Sequence, residues 1–517
     1  MNVFENIKYL FLLIFLSGFI FSLPYTIEAR DDVRKGVLNK RVLRLSLEEG
    51  KLMVLEKNLD IAIQRLAPQV EKMRIERERG TFDPLFSGSF MRGDSATPLS
   101  TRSSVAAGGR RNTKSKAYSL STGISGKSPF GTEYSIEFED IWIENTFNQF
   151  QAEYDSFAGI RITQPLFKNF GYDTNRFSIY IAQKNRDISV SELKEHIIET
   201  VAKFKKAYWD MTLAIEELKV KEESLKLAES LLNLNRKRLK AEVISPLEVT
   251  QAEAGMASRK EDVIIAQKVV RERENTLKRL ISSDIYALRN VEIVPTDTPV
   301  VVSFIPDFEE SVREGLEYRP DYQKMKTEIK KNDITIQYAR NQKFPGVDLE
   351  ASYGFNGLGN SFGDSLRDMD DNPEWTLGVV VTFPLGNRSS KGDLRIAQME
   401  ARQALLNLKK LEQEILVEID NAINELETNK QRIEATKISK RLAEESLRAE
   451  ELKLRAGLST SHNVLQFQED LTEAKSREIS AIIDYIKSLV ELSRVKGTVL
   501  QEEGIKLTEY TTRIARR

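Results

Sequence analysis

The chain has 517 residues, of which 30% are charged and 40% are hydrophobic, with only 14 prolines. Its 77 lysine and arginine residues nearly cancel its 78 aspartate and glutamate residues, which excludes the strongly basic surface that nucleic-acid binding requires. Because there is no cysteine, disulfides and thiolate metal sites are excluded as well. This balance is typical of elongated helices with one narrow apolar stripe.

Residues 1–29 have the layout of a secretory signal peptide. Lys8 precedes an apolar run from Tyr9 to about Leu23, and Ala29 follows as a small residue suited to cleavage. A membrane anchor is the alternative, but the run is shorter than the roughly 20 residues of a spanning helix. No later apolar run reaches that length. We therefore predict an exported protein, for which closed β-barrels remain the available membrane-spanning structure.

The chain contains a long-range internal repeat. Residues Glu48, Leu55, Glu56, Asp60 and Pro84 recur 261 positions later as Glu309, Leu316, Glu317, Asp321 and Pro345. "ITQPLF" from Ile162 matches "VTFPLG" from Val381 at an offset of 219, and "KAEVISPLEVTQAE" from Lys240 matches "RAGLSTSHNVLQFQ" from Arg455 at 215. The falling offset puts about 42 additional residues in the first half between the two matched prolines, and about four more in its long helix.

Each half is predicted to have the same order of parts. The first repeat, residues 30–281, has a helix at about 46–80, strands at about 84–165 and a long helical hairpin at about 174–281. The second repeat, residues 308–497, has a helix at 308–343, strands at about 347–385 and a hairpin at about 391–497. Residues 282–320 form a linker between the repeats, and 498–517 form a C-terminal tail. Pro68 should kink the first helix.

The strands are predicted from alternating apolar and polar residues. "GKSPFG", residues 126–131, predicts a tight turn that joins two of them into a hairpin. Residues 92–116 are polar and rich in Gly and Ser, which predicts a loop, and the Gly-rich residues 354–364 predict another. The alternation leaves open whether the hairpin at 117–141 belongs to the same sheet, which would give six strands per chain instead of four.

The second helix of each hairpin has a heptad register. Its seam runs from Val249 to Leu280 in the first half and from Val464 to Val495 in the second. Each seam has ten positions, and eight of the ten in the first half are apolar or alanine. The preceding helix, at about 174–240, would span roughly 100 Å at 1.5 Å per residue. A stripe this narrow cannot be covered within one chain, so we expect these helices to pack on each other and on copies of the same chain.

These features resemble the TolC-like outer-membrane efflux proteins, which are trimeric channel-tunnels. The resemblance covers about residues 45–497. It rests on "ITQPLF" closing a strand, on the paired strand entries at Pro84 and Pro345, and on "RAGLSTSHNVLQFQEDLTEAKSRE" from Arg455. It implies an α+β membrane protein in which long antiparallel coiled-coil helices form a periplasmic α-barrel and the strands of three protomers form one β-barrel.

The resemblance also implies a function. The protein would be the outer-membrane channel-tunnel of a tripartite efflux or type I secretion system, passively conducting substrates to the exterior without chemistry of its own. Its partners would be two further copies of itself, a periplasmic adaptor, an inner-membrane pump and outer-membrane lipid. Residues 282–320 and the tail would form an equatorial belt, and most of the chain would lie in the periplasm. The alternative is an exported periplasmic coiled-coil scaffold or adaptor with a soluble β-domain.

The resemblance implies that the two turns between the long helices form the end of the tunnel that faces the pump. The aperture would be lined in the second half by Asn463 and Gln466, amides where the family has acidic residues, and in the first half by Glu248 and Gln251. The adaptor would dock on the turns themselves, at Glu242, Val243, Ala456, Gly457 and Leu458. The turn glycine of the family is kept as Gly457 but is replaced by Glu242 in the first copy.

Glu248 also has a second predicted role. Ser245, Pro246 and Glu248 have the spacing of a helix N-cap, a first helical residue and a capping-box partner, so its carboxylate could cap the helix instead of lining an aperture. No catalytic motif, cofactor-binding motif or metal-ligand spacing is present, and His196 and His462 lie far apart in the chain. The sequence predicts no enzyme activity.

Overall fold

The computed structural model describes residues 41–106, 108–145, 151–302 and 304–505. The predicted signal peptide and residues 506–517 of the predicted tail lie outside the described residues. No helix in the described part of the chain combines the length and apolar character needed to cross a membrane.

The helix predicted at about 46–80 is broken twice. After strand β1 (Arg41–Leu45) the chain forms α1 (Leu47–Lys57), α2 (Leu59–Gln64) and α3 (Leu66–Arg79). The break at Arg65 comes three residues before Pro68, whose ring and missing N–H interrupt the preceding turn. The break at Asn58 contradicts the predicted continuous helix: Asn58 is extended, and its side chain accepts a hydrogen bond from the Ile61 amide and so caps α2.

Six of the described strands form one antiparallel sheet in the order β2–β3–β4–β5–β7–β8. Their bounds are β2 Leu85–Pro98, β3 Asn112–Lys127, β4 Glu133–Asn145, β5 Glu153–Pro165, β7 Gly346–Gly359 and β8 Pro373–Thr382. The hairpin at 117–141 belongs to this sheet, so the number of strands is six and not four. Strand β6 (Val291–Pro295) pairs separately with β1.

Two predicted loops are largely regular structure. Residues 92–116 were predicted as loop, yet β2 and β3 stay paired as far as Pro98 and Asn112, and α4 (Thr101–Ala106) lies between them. At 354–364, β7 continues to Gly359 and α10 (Phe362–Asp368) follows. Both predictions are wrong because polar residues and glycine disfavour a strand only weakly. The strand pairs are made by backbone hydrogen bonds, which these residues can also form.

The remaining helices include the four that form the two long hairpins. They are α5 (Tyr172–Asn175), α6 (Phe177–Lys240), α7 (Pro246–Ile281), α8 (Phe308–Tyr318), α9 (Pro320–Gln342), α11 (Arg388–Arg455), α12 (Ser461–Lys496) and α13 (Val499–Glu502). At 64 residues α6 is roughly 100 Å long. In α12 all ten predicted seam positions are buried or half-buried, whereas in α7 Arg273 is exposed.

Two side chains, Asn58, which is buried, and Arg319, which is largely buried, bind the ends of the hairpins in the same way. The Asn58 amide donates to the Leu280 carbonyl at 3.0 Å, and the Arg319 guanidinium donates to the Val495 carbonyl at 3.1 Å. Asn58 and Arg319 are 261 residues apart, and Leu280 and Val495 are 215 apart, which are the offsets of the sequence repeat. Each bond satisfies a carbonyl that the last turn of a helix leaves without a partner.

Candidate functional site

The two turns that join the long helices have the same backbone geometry. In the first, Glu242 is left-handed at φ 56°, and the amides of Glu242 and Val243 donate to the carbonyls of Leu239 and Arg238. In the second, Gly457 is left-handed at φ 73°, and the amides of Gly457 and Leu458 donate to the carbonyls of Leu454 and Lys453. Both turns are Schellman motifs. Glycine adopts this conformation freely, whereas glutamate is strained in it.

A polar cluster built around two fully buried side chains connects the two hairpins behind these turns. The side-chain amide of Asn235 donates to the Ser461 hydroxyl at 2.9 Å and lies 3.3 Å from the Glu248 carbonyl oxygen. The Ser461 hydroxyl in turn donates to the Glu248 carboxylate at 3.0 Å. Asn235 and Ser461 are both 0% exposed. The cluster therefore joins α6, the start of α7 and the start of α12 through hydrogen bonds that water cannot replace.

The predicted capping box at Ser245 is wrong in this structure. Ser245 is the N-cap of α7 and Pro246 its first residue, but the Ser245 side chain makes no capping hydrogen bond. The Glu248 carboxylate is turned instead toward Ser461 on the other hairpin. The Glu248 carboxylate binds the buried Ser461 hydroxyl and not the exposed N-cap at Ser245. Water can satisfy the exposed N-cap amide, but it cannot replace a lost partner of the buried hydroxyl.

The second turn has its own buried acid. Glu450, which lies at the repeat position of Asn235, is 5% exposed and binds Ser459 and Lys453. The Ser459 hydroxyl and the Lys453 ammonium hold the pKa of Glu450 below its ordinary value. The side chain of Asn463 contributes to this cluster, and it also donates to Ser459 at 3.4 Å. Glu450 thus fastens the second turn to the end of α11.

The four predicted aperture residues do not form one cluster in the described chain. Glu248 is half-buried and faces Ser461, whereas Gln251, Asn463 and Gln466 are exposed. The Gln466 amide contacts Asp470 of its own helix at 3.4 Å. The predicted docking residues Glu242, Val243, Ala456, Gly457 and Leu458 are all exposed at the two tips.

Sequence reasoning missed Asn235, Glu450 and Ser461. A signal was present for Asn235, because it continues the seam spacing of α6 three residues after Leu232 as a polar residue among apolar ones. The partner of each side chain is distant in sequence or lies on an irregular turn, and periodicity does not report such contacts. Within the described residues no group of three or more His, Asp or Glu side chains has the arrangement of a metal site.

The sequence that forms these long helical hairpins and this six-stranded sheet matches a known protein family. The family described as "Outer membrane efflux protein" matches residues 53–283 and 312–498. The chain belongs to this family. As an outer membrane efflux protein it is a protein of the bacterial outer membrane, which confirms the resemblance and the location predicted from the sequence.

Two outer membrane efflux proteins of known role are similar in sequence to part of the chain. The toluene efflux pump outer membrane protein TtgC of Pseudomonas putida is 23% identical over 303 residues, which are 58% of this chain and 60% of that protein. The pyoverdine export outer membrane protein OpmQ of Pseudomonas aeruginosa is 24% identical over 302 residues, 56% of this chain and 60% of that protein. The similarity therefore spans less than two thirds of either relative.

Solved structures of other outer membrane channels share the fold. The CmeC channel of Campylobacter jejuni has a TM-score of 0.67 at 14% identity, covering 91% of this chain and 88% of its own. The open state of the MtrE channel of Neisseria gonorrhoeae has a TM-score of 0.61 at 19% identity, covering 90% and 93%. The likeness extends over the sheet and the long helices together.

Proposed function

We propose that the protein is a homotrimeric outer-membrane channel that conducts substrates passively from a periplasmic adaptor and an inner-membrane pump to the exterior. The observation that carries this proposal is the division of the sheet into one apolar and one polar face. The long helices and their two turns supply the remaining support.

The apolar face is built from residues in register. One row crosses all six strands and contains Phe86, Ile124, Ile136, Ile160, Tyr353 and Trp375. Each of these is exposed in the single chain, Trp375 by 70%. The next row on the opposite face contains Ser87, Gly123, Glu137, Gly159, Gly354 and Glu374. An apolar outer and a polar inner face are what a transmembrane barrel presents to lipid and to water.

The sheet has open edges at β2 and β8, and open edges are not tolerated in lipid. Three chains with six strands each would close a barrel of eighteen strands by pairing β8 of one chain with β2 of the next. The helices support the same assembly: Ile264 and Ile265 on α7 are 60% and 53% exposed, and Leu442 on α11 is 49% exposed. We infer that these side chains pack between neighbouring copies, and that the helices then form a periplasmic tunnel.

The two halves of the chain, residues 30–281 and 308–497, are proposed to be structural copies that alternate around this tunnel. Residues 282–320 and the C-terminal tail would form the belt around its middle. The tips then carry the adaptor sites. Val243 and Leu458 occupy equivalent positions, 215 residues apart, and are 65% and 80% exposed. Exposed apolar side chains on a polar helical tip mark a protein contact, so each tip would offer one apolar anchor to the adaptor.

The aperture is proposed to involve Glu248, Gln251, Asn463 and Gln466. Of these Glu248 has the only charge, so it would be the main source of cation preference. Glu248→Gln should reduce cation selectivity in planar-bilayer recordings while the channel still opens, and Glu253→Gln, an exposed acid five residues further along α7, is the matched control. An unchanged reversal potential in Glu248→Gln would remove this residue from the aperture.

The decisive test of the proposed function is the state of the purified protein. A detergent-requiring trimer in the outer-membrane fraction that forms channels in a bilayer is expected. Ile265→Glu should break the trimer into monomers, whereas Lys268→Glu on the same helix should not. A soluble periplasmic species without conductance would favour the alternative, an exported coiled-coil scaffold or adaptor whose sheet forms a soluble domain.

A further inference from the structure

The connection between β7 and β8 folds back onto the sheet. Helix α10 packs on β7 and β5, and Gly357 and Gly359 are directly beneath it. A Cβ atom at either glycine would overlap the backbone of Ser365, so only glycine allows the helix to approach this closely. Both glycines point to the apolar face, because they follow Phe355 and Tyr353 at intervals of two residues.

A polar clasp holds α10 in place. Asp140 and Ser156 project from the apolar face but are only 8% and 0% exposed. The Ser156 hydroxyl donates to the Asp140 carboxylate at 2.6 Å and lies 2.8 Å from the hydroxyl of Ser365 in α10, which is also 0% exposed. A carboxylate on a face that meets lipid is costly without such partners. The helix therefore covers the one acidic side chain that interrupts the apolar surface at this level.

The outer side of α10 is apolar next to the sheet and charged beyond it. Phe362 and Leu366 are 42% and 37% exposed, and the Phe362 ring meets the edge of Phe138 with centroids 6.4 Å apart. Asp364 and Arg367 are exposed on the same short helix. The helix belongs to the end of the sheet opposite the long helices, because the β3–β4 turn at the other end contacts the chain just before α5 through Phe130.

We propose that α10 is an interfacial anchor that inserts Phe362 and Leu366 into the outer-leaflet lipid, where headgroups meet acyl chains. The inference rests on the proposed function, since it requires the apolar face to meet lipid. The apolar surface of α10 is continuous with that face, so one occupant, lipid, covers both. The charged side chains at its margin suit the headgroup level, as in other amphipathic interfacial helices.

The absence of cysteine makes the test direct, because a single introduced cysteine carries the only nitroxide spin label. Leu366→Cys is labelled in protein reconstituted into vesicles of phosphatidylcholine and phosphatidylglycerol at about 3:1, and its collisions with oxygen and with a water-soluble nickel chelate are compared. Trp375→Cys reports the apolar face, and Glu137→Cys the polar face. The label at position 366 should collide more often with oxygen than with the nickel chelate. Its depth in the bilayer should be smaller than that of the label at position 375.

A second variant tests the clasp. Gly357→Val in the Leu366→Cys background should displace α10, increasing the mobility of the label and its nickel accessibility several-fold. Gly378→Val is the matched control, because a Cβ there meets no atom within 4 Å. Ser103, which is exposed in α4, gives the reference for a label in water. If the Trp375 label is in lipid but the Leu366 label is as accessible to nickel as a label at Ser103, the anchor is overturned. If the Trp375 label is itself in water, the proposed membrane channel fails, and the inference fails with it.

Discussion

The buried cluster at Asn235 should couple the two hairpins energetically. Asn235→Ala removes the 2.9 Å bond to the Ser461 hydroxyl and the 3.3 Å contact with the Glu248 carbonyl. It thereby leaves polar atoms unsatisfied where Ser461 is 0% exposed. Leaving such groups buried costs about 1–3 kcal/mol, which corresponds to a roughly 5- to 150-fold larger open population of the turns.

Native-state hydrogen exchange measures that population at individual amides. The Glu248 amide, bonded to Ser245, and the Val464 amide, bonded to Thr460, report the first turns of α7 and α12. Both should exchange faster in Asn235→Ala by the same factor, although Val464 is 229 residues away in sequence. Asn233→Ala, an exposed asparagine two residues earlier, is the control. Acceleration at Glu248 alone, or an effect no larger than the control, would refute the coupling.

Three further predictions concern single side chains. Glu242→Gly should relieve the strain of the left-handed residue and slow exchange of the Val243 amide about threefold, whereas Gly457→Ala should speed exchange of the Leu458 amide by about tenfold; unchanged exchange rates in both variants would contradict the strain. Arg319→Ala should lower the free energy of unfolding by about 2–4 kcal/mol, because it leaves Asp321 and Glu418 without their partner. Asn58→Ala should lower it by about 1–2 kcal/mol. Urea unfolding followed by tryptophan fluorescence is the measurement, and an equal or larger loss for Asn58→Ala than for Arg319→Ala would contradict this order. Burial raises the pKa of Glu503, but hydrogen bonds and ion pairs with Lys205 and Lys51 outweigh burial and hold that pKa below its ordinary 4.5. The stabilisation that these ion pairs contribute is therefore present above pH 4.5. It is lost as the pH falls through the pKa of Glu503 in the folded protein. Thermal melting from pH 6 to 3 should have a smaller pH dependence in Glu503→Gln, and an unchanged slope would exclude this ion pair as a source.

The long helices were predictable because their apolar spacing is a local signal. The seam from Val464 to Val495 is buried or half-buried throughout, and helix ends such as Lys240 and Pro246 follow from local turn chemistry. The sheet was only partly predictable. Alternation identifies a strand but not its neighbour, so the sequence left open whether β3 and β4 joined the other strands.

The site was less predictable than the fold because its contacts are not local. Glu248 had a plausible partner three residues away at Ser245, and the structure pairs it with Ser461, 213 residues later. At the break in the first helix, Asn58 caps the next helix and its amide also reaches the Leu280 carbonyl, 222 residues away. A sequence pattern ranks local partners first, and it reports neither the distant partner that replaces the local one at Glu248 nor the distant partner that is added at Asn58.

The paired bonds of Asn58 and Arg319 show where the two halves of the proposed internal repeat differ in chemistry. Both side chains satisfy an equivalent carbonyl, but one is a neutral amide and the other a guanidinium that also binds Asp321 and Glu418. Under the proposed repeat, the two halves share this hydrogen bond and not the residue that makes it. Each half therefore keeps the attachment with a side chain of different chemistry, and the proposed trimer would contain three joints of each kind.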